Sequence, residues 1–318
     1  MHEHARRQIS IEATGLSVAY GVRPALRINE LSARGGIIAV IGHNGAGKST
    51  LLKSVLKLLP CSAGRLDVFA FDREVRQRLK PEEHMAFCPE GGSVFADISV
   101  ESYIRLWCRL KTDDPNYYRS GGRHWIEQLE LAPLLKKLGR ELSKGQRRRV
   151  QTAIGFFSRP RLFLLDEPFD GLDVQKTSEL AEIVERQASS TSFLLTSHRM
   201  DVVERLADTL IVLRNGELFA VGPTEEVCRT IGHAGAKIRG INNIEAAMDA
   251  LKKHLPCAVM SKFGSEIIVC GKIPAAPELL SLVRSLTNSQ VEIEEIVPSL
   301  VDAVSYHLKD TASQCLAA

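Results

Sequence analysis

Apolar positions change rhythm along this chain, and each rhythm predicts a different element. From Ile9 to Val18 apolar and polar residues alternate, the two-residue period of a half-buried strand. Ile37-Ile38-Ala39-Val40-Ile41 is apolar throughout and rich in β-branched residues, which predicts a strand buried on both faces. It runs straight into a glycine-rich loop, after which Thr50 to Leu59 repeats leucine at helical spacing. Leu162-Phe163-Leu164-Leu165 and Ser192-Phe193-Leu194-Leu195-Thr196 predict two more buried strands. Thr209 to Leu213 and Glu217 to Val221, joined by Asn215-Gly216, predict a hairpin. Between about Gly91 and Gly139 the spacing turns helical, through Tyr103, Leu106, Trp107 and Leu110 and then Trp125, Leu129 and Leu134. A polar loop, Asp113 to Arg123, separates those two helices.

Strands alternating with helices predict an α/β core with a helical insertion. The pattern changes near Gly232 to Gly235, which divides the chain into domains at 1–232 and 233–318, with a helical subdomain at about 91–150. Past that boundary come a strand (Lys237 to Arg239), a helix (Ile244 to Leu255) and a strand pair (Ala258 to Ser261, Ile267 to Cys270). A helix (Glu278 to Leu286) and a strand (Val291 to Ile296) follow. That β-α-β-β-α-β order predicts a small α+β, ferredoxin-like domain, with a last helix from Ser299.

Composition narrows the function classes. Apolar residues make up 44% and charged residues 25%, as in ordinary globular proteins. The formal net charge of +3 offers little to a nucleic acid, and none is expected as a partner. The run Arg147-Arg148-Arg149 reads as a solvated helix face. Seven cysteines, an odd number without any C-x-x-C spacing, fit neither a zinc site nor a disulfide framework and point to a reducing compartment. No stretch approaches the roughly 18 uninterrupted apolar residues of a membrane span. Met1 to Gln8 is polar, and His2 and His4 read as a frayed tail rather than metal ligands.

Two motifs carry chemistry. Gly42-His43-Asn44-Gly45-Ala46-Gly47-Lys48-Ser49, with Thr50 behind it, satisfies G-x-x-x-x-G-K-[ST] between a buried strand and a helix. Such glycines let backbone N–H groups converge on nucleotide phosphates at a helix N-terminus. Lys48 is then expected to bridge the β- and γ-phosphates, and the Ser49 hydroxyl to bind Mg²⁺. In the second motif, Leu162 to Glu167, a buried strand ends in two carboxylates. Asp166 at the strand tip is suited to Mg²⁺, and Glu167 to acting as general base for an attacking water. Together they define a P-loop nucleotide hydrolase without saying which kind.

A third motif narrows the choice. Leu142-Ser143-Lys144-Gly145-Gln146 resembles the signature sequence of ATP-binding cassette (ABC) proteins, usually Leu-Ser-Gly-Gly-Gln. Further landmarks of that family fall in order: Tyr20, Asp170-Gly171-Leu172-Asp173 and His198. The resemblance covers about residues 9–225 and implies a P-loop core with a helical subdomain. It implies that Tyr20 stacks on adenine, that His198 contacts the γ-phosphate and positions the water, and that Asp173 communicates between sites. Ser143, Gly145 and Gln146 are implied to reach ATP held by a partner's Lys48, in a homodimer or a heterodimer with a paralogue. The segment Gly91-Gly92-Ser93-Val94-Phe95 and Ile98 to Val100 corresponds to the family's dock for a membrane permease, with Val94 and Phe95 as its apolar candidates.

Two positions depart from the family pattern. Lys144 replaces a glycine, and Glu90 stands where glutamine is usual. Glu90 keeps an oxygen for Mg²⁺ but adds a charge and loses an amide donor. Pro298-Ser299-Leu300-Val301-Asp302 is similar to a tail of exporter-type ATPases. The resemblance therefore implies an ATP-hydrolysing subunit that powers a separate permease, an exporter, from the cytoplasmic face of the membrane. The alternative is a soluble cassette ATPase that remodels a cytosolic assembly without transport.

Overall fold

The computed structural model describes residues 7–72, 75–92, 94–112, 114, 116–287 and 290–308. His2, His4 and Ser93 lie outside the described residues. The polypeptide divides into one unit at Met1–Val221 and another at Gly222–Ala318.

The first unit opens with β1 (Ile9–Tyr20) and β2 (Arg23–Gly35), an antiparallel pair with Leu16 opposite Ile28 and Val18 opposite Leu26. Then come β3 (Ile37–Ile41), α1 (Lys48–Val55), β4 (Ala63–Asp72), β5 (Val75–Arg78), α2 (Pro81–His84) and β6 (Met85–Cys88). Three helices follow, α3 (Val100–Lys111), α4 (Gly121–Gln128) and α5 (Lys144–Phe157). The remainder is β7 (Leu162–Leu165), α6 (Val174–Gln187), β8 (Ser192–Thr196), α7 (Met200–Leu206), β9 (Thr209–Arg214) and β10 (Glu217–Pro223).

These ten strands form one sheet in the order β5-β4-β1-β2-β10-β9-β3-β8-β7-β6. The strands from β9 to β6 pair in parallel, whereas β5, β4, β1 and β2 are antiparallel to one another and β2 meets β10 in parallel. Every residue of β3, β7 and β8 is buried, as their unbroken apolar runs require. Parallel strands all point one way, so the C-terminal ends of β3, β6, β7 and β8 collect at one edge, where α/β sheets place ligands. The glycine loop, Glu90, the carboxylates Asp166 and Glu167, and His198 all leave from those ends.

Several sequence expectations shift. The helix read from Thr50 to Leu59 spans Lys48 to Val55, and Lys57 turns left-handed at φ 56° just past its end. Helix α4 begins at Gly121, inside the stretch expected to be loop. Strand β2 escaped notice because its alternation slips at Asn29-Glu30, which puts Leu26 and Ile28 out of phase with Leu31 and Ala33. The arginine run is not a solvated face. Arg148 is 1% exposed, and Arg149 donates to the carbonyls of Leu129 and Glu130. Helical phase turns one arginine of three inward, and carbonyls left free by neighbouring loops receive it.

In the second unit α8 (Thr224–Gly232) leads into β11 (Ala234–Arg239), α9 (Ile244–His254), β12 (Val259–Phe263) and β13 (Glu266–Gly271). It ends with α10 (Ala276–Thr287), β14 (Glu292–Ile296) and α11 (Leu300–Leu308). The strand order is β12-β13-β11-β14, antiparallel throughout. Its core gathers Ile238, Leu251, Ile267, Val269, Leu279 and Val283. Helix α8 belongs here because Gly232 meets Pro298 and Ala303 so closely that a Cβ would lie 2.8 Å from the proline. The unit therefore starts about ten residues before the boundary read at Gly232. Cys61, Cys88, Cys108 and Cys270 are free thiols, whereas Cys257 is disulfide-bonded. The bond at Cys257 departs from the expectation that the cysteines are reduced, which their spacing alone suggested.

No helix among the described residues is long and apolar enough to cross a membrane.

Candidate functional site

The loop after β3 depends on glycine. Gly42, Gly45 and Gly47 have φ of 153°, 83° and 101°, which L-residues rarely adopt. At Gly42 a Cβ would also fall 2.3 Å from the Leu213 carbonyl oxygen. The loop delivers Lys48, 7% exposed, to the first turn of α1. Its Nζ donates to the Gly42 carbonyl at 3.0 Å and lies 3.6 Å from Glu167 Oε1 and 3.5 Å from His198 Nε2. Three segments remote in sequence thus meet at one ammonium group.

Asp166 and Glu167 leave the tip of β7 in opposite roles. Asp166 Oδ1 accepts from Ser49 Oγ at 3.1 Å and from Thr196 Oγ1 at 2.7 Å. The same threonine hydroxyl accepts from the Glu167 amide at 2.8 Å, so one side chain orients both acids. A carboxylate oxygen beside a serine hydroxyl is a hard-oxygen pair of the kind that Mg²⁺ takes. Glu167 is 7% exposed and held at φ 49°. Its Oε2 accepts from the His198 amide at 3.1 Å, and its Oε1 lies 3.0 Å from His198 Nε2. Burial raises the Glu167 pKa above the ordinary carboxylate range, while the charges of His198 and Lys48 oppose that rise.

These groups open on a cleft of about 950 Å³. Asn44, Gly45, Gly47, Ser49 and Thr50 line its floor, and Glu90 and Asp170 its side. Tyr20 stands on the wall, half exposed, with its hydroxyl 3.5 Å from Thr50 Oγ1. That leaves an aromatic face free for a planar base to stack on. His43 Nε2 lies 3.0 Å from Asn215 Oδ1 on the cleft lining, while the Ala46 carbonyl accepts from the Gly216 amide.

Ser143, Gly145 and Gln146 do not line this cleft. Ser143 caps α5: its Oγ accepts from the Gln146 amide at 3.2 Å, and Gln146 Oε1 accepts from the Ser143 amide at 3.1 Å. Gly145 faces Leu172. Asp173 caps α6 by accepting from the Lys176 amide. Phe95 is exposed and packs edge-on to Tyr103, with ring centres 5.2 Å apart, and Val94 is half buried.

Sequence reading missed Thr196, Arg148 and Asn215. Thr196 looked like the end of an apolar strand, and Asn215 like a hairpin turn and nothing more. Arg148 was hidden in the basic run. Its guanidinium donates to the carbonyls of Glu90 at 2.7 Å, Pro168 at 3.4 Å and Asp170.

The described geometry has counterparts among known proteins. A family model described as ABC transporter matches residues 27–170, and an AAA domain model matches residues 139–204. The daunorubicin resistance ATP-binding protein DrrA3 of Streptomyces coeruleorubidus is 28% identical over 94% of this chain and 95% of its own length. ATP-binding cassette sub-family A member 7 of Rattus norvegicus is 30% identical over 66% of this chain. The chain spans only about a tenth of that relative's length. A solved structure titled as the ATP binding subunit of an ABC transporter superposes with a TM-score of 0.59 at 26% identity. It covers 70% of this chain and 92% of its own. With a glycine loop, two carboxylates and a histidine gathered in one cleft, and with these relatives, the chain belongs to the ATP-binding cassette family of ATPases.

Proposed function

We propose that this chain is the ATP-driven motor of a transporter whose pore is a separate membrane protein, and that two cassettes close head to tail on two ATP molecules. The observation that carries the reading is the division of the site. Lys48, Ser49, Asp166, Glu167 and His198 converge in one cleft, while Ser143 stands exposed at the tip of α5, outside it. An exposed, capped hydroxyl beside Gly145 is well placed to serve a nucleotide held by another chain. A two-fold arrangement lets one sequence supply both faces.

In that arrangement Lys48 exchanges its carbonyl partners for phosphate oxygens, and Tyr20 supports the adenine. Ser49 and Asp166 would hold Mg²⁺, which would neutralise charge on the phosphates. Glu167 accepts a proton from water as the water oxygen bonds to the γ-phosphorus and the bond to the β-phosphate oxygen breaks. ADP and phosphate result. His198 steadies Glu167 and the γ-phosphate. Closure then relaxes, because ATP favours the closed pair only through contacts that the open pair lacks.

Two similarities support this reading. DrrA3 aligns over almost the whole chain and is named for drug resistance, which favours export. A cassette of the same fold, MJ0796, is described as a dimer bound to ADP and Pi. Val94 and Phe95 are the proposed permease contacts, which would hold the subunit at the cytoplasmic face.

Mixing variants tests the shared site. Ser143→Arg and Lys48→Ala should each abolish hydrolysis by the full-length chain with its permease. Mixed together they form one composite site with intact parts from both chains, and activity should return. Wild-type hydrolysis by Ser143→Arg alone, or silence on mixing two folded, nucleotide-binding chains, would refute it.

A further inference from the structure

The two departures from the cassette pattern lie far apart in sequence, yet the fold brings them together. Lys144 Nζ is 2.7 Å from Asp170 Oδ2 and 3.7 Å from Glu90 Oε1. Both carboxylates line the nucleotide cleft. One helical turn further along α5, on the same face, Arg148 holds the main-chain oxygens of the same two residues, Glu90 and Asp170. A single helix face therefore grips the loop after β6 and the loop after β7 twice, once by side chain and once by backbone.

The two grips do different things. Arg148 is fully buried and reaches three carbonyls, a fork that lysine could not reproduce. It fixes where the loops run. Lys144 is about half exposed and meets only carboxylates, so its effect is electrostatic. The Asp170 pKa is held below its ordinary value chiefly by the hydrogen bond from Lys144. A polyphosphate entering this cleft meets Glu90 and Asp170 in addition to Asp166 and Glu167. Without a cation beside them, the two outer carboxylates repel it.

We propose that Lys144 is a positioning residue that compensates the charge of Glu90 and Asp170 beside the nucleotide, on a loop frame held by Arg148. Lysine at 144 and glutamate at 90 are on this account one paired replacement: a positive charge and a negative charge introduced together. The inference rests on the cleft reading set out above.

The test is reciprocal rescue, with ATP as the ligand and the full-length chain with its permease. Lys144→Gly should raise the apparent KM for ATP about threefold to fivefold, the scale of a half-exposed ion pair. The value of kcat should stay within about twofold. Adding Glu90→Gln to the same chain should bring KM back most of the way, and raising the salt concentration should shrink the defect. Lys144→Met repeats the test without the backbone freedom of glycine, and Lys144→Arg should keep the wild-type KM. A wild-type KM in both Lys144→Gly and Lys144→Met overturns the proposal. So does a double variant no better than Lys144→Gly alone, because a merely structural lysine gives no rescue through a distant carboxylate. Lys48→Ala separates the two claims. If it hydrolyses ATP normally, the cleft reading fails; if it is inactive while rescue is absent, only the compensation by Lys144 fails.

Discussion

The two units of this chain are both sheets covered by helices, yet only one of them gathers chemistry. In the first unit β3, β6, β7 and β8 run parallel and end side by side, so four loops open on one edge. Lys48, Glu90, Asp166, Glu167 and His198 come from those loops, and the Lys48–Glu167 and Ser49–Asp166 contacts each span more than a hundred residues of sequence. In the second unit neighbouring strands alternate in direction. Consecutive loops fall at opposite ends, and its buried residues are those of an apolar core, Ile238, Ile267 and Val269 among them. The comparison teaches that direction of pairing, more than composition, decides where reactive side chains can converge.

The sharpest way to break that contrast is at Glu167. Glu167→Gln should reduce turnover by about a hundredfold or more while ATP binding persists, since an amide cannot take the water's proton. Hydrolysis near the wild-type rate, measured by phosphate release, would remove the base from this edge of the sheet. A core substitution in the second unit should do the reverse. Ile267, fully buried, contributes packing alone, so Ile267→Ala should destabilise that unit by about 2–5 kcal/mol. ATP affinity measured well below the melting transition should be unchanged. A parallel loss of affinity would give the second unit a part in the site.

The smallest effect lies in the pH profile. Burial lifts the Glu167 pKa, so its proton stays on to a higher pH than on an exposed glutamate. The working carboxylate is then lost as pH falls through that raised value, and the acid limb of ATP hydrolysis should lie above the ordinary carboxylate range. The same shift makes a stability contribution that is fully present below the unfolded pKa and is lost as pH rises through the folded one. An acid limb at ordinary carboxylate pH would mean that His198 and Lys48 outweigh burial.

Much of this was legible in residue order. The limits of β3, β7 and β8 follow from uninterrupted apolar runs, because a strand buried on both faces leaves no polar position to blur its ends. The elements from β11 to α11 were legible for a similar reason, each with a clear period and a turn behind it. Strands β2 and β5 were not. The first slips phase at Asn29-Glu30, and the second is exposed at all four positions, so neither carries the signature of a buried face.

By itself the sequence determined the local chemistry: a glycine loop with left-handed torsions, a strand ending in two acids, a serine with glutamine three residues on to cap a helix. Each is a matter of neighbours along the chain, where spacing alone sets geometry. Only the tertiary structure decided which distant groups meet. Thr196 joins Asp166 to Glu167, Lys144 finds Glu90, and Arg148 turns inward from a basic run to hold three carbonyls. Such contacts arise where parallel strand ends and one helix face are brought side by side, and a partner fifty residues away leaves no mark on the spacing around either residue.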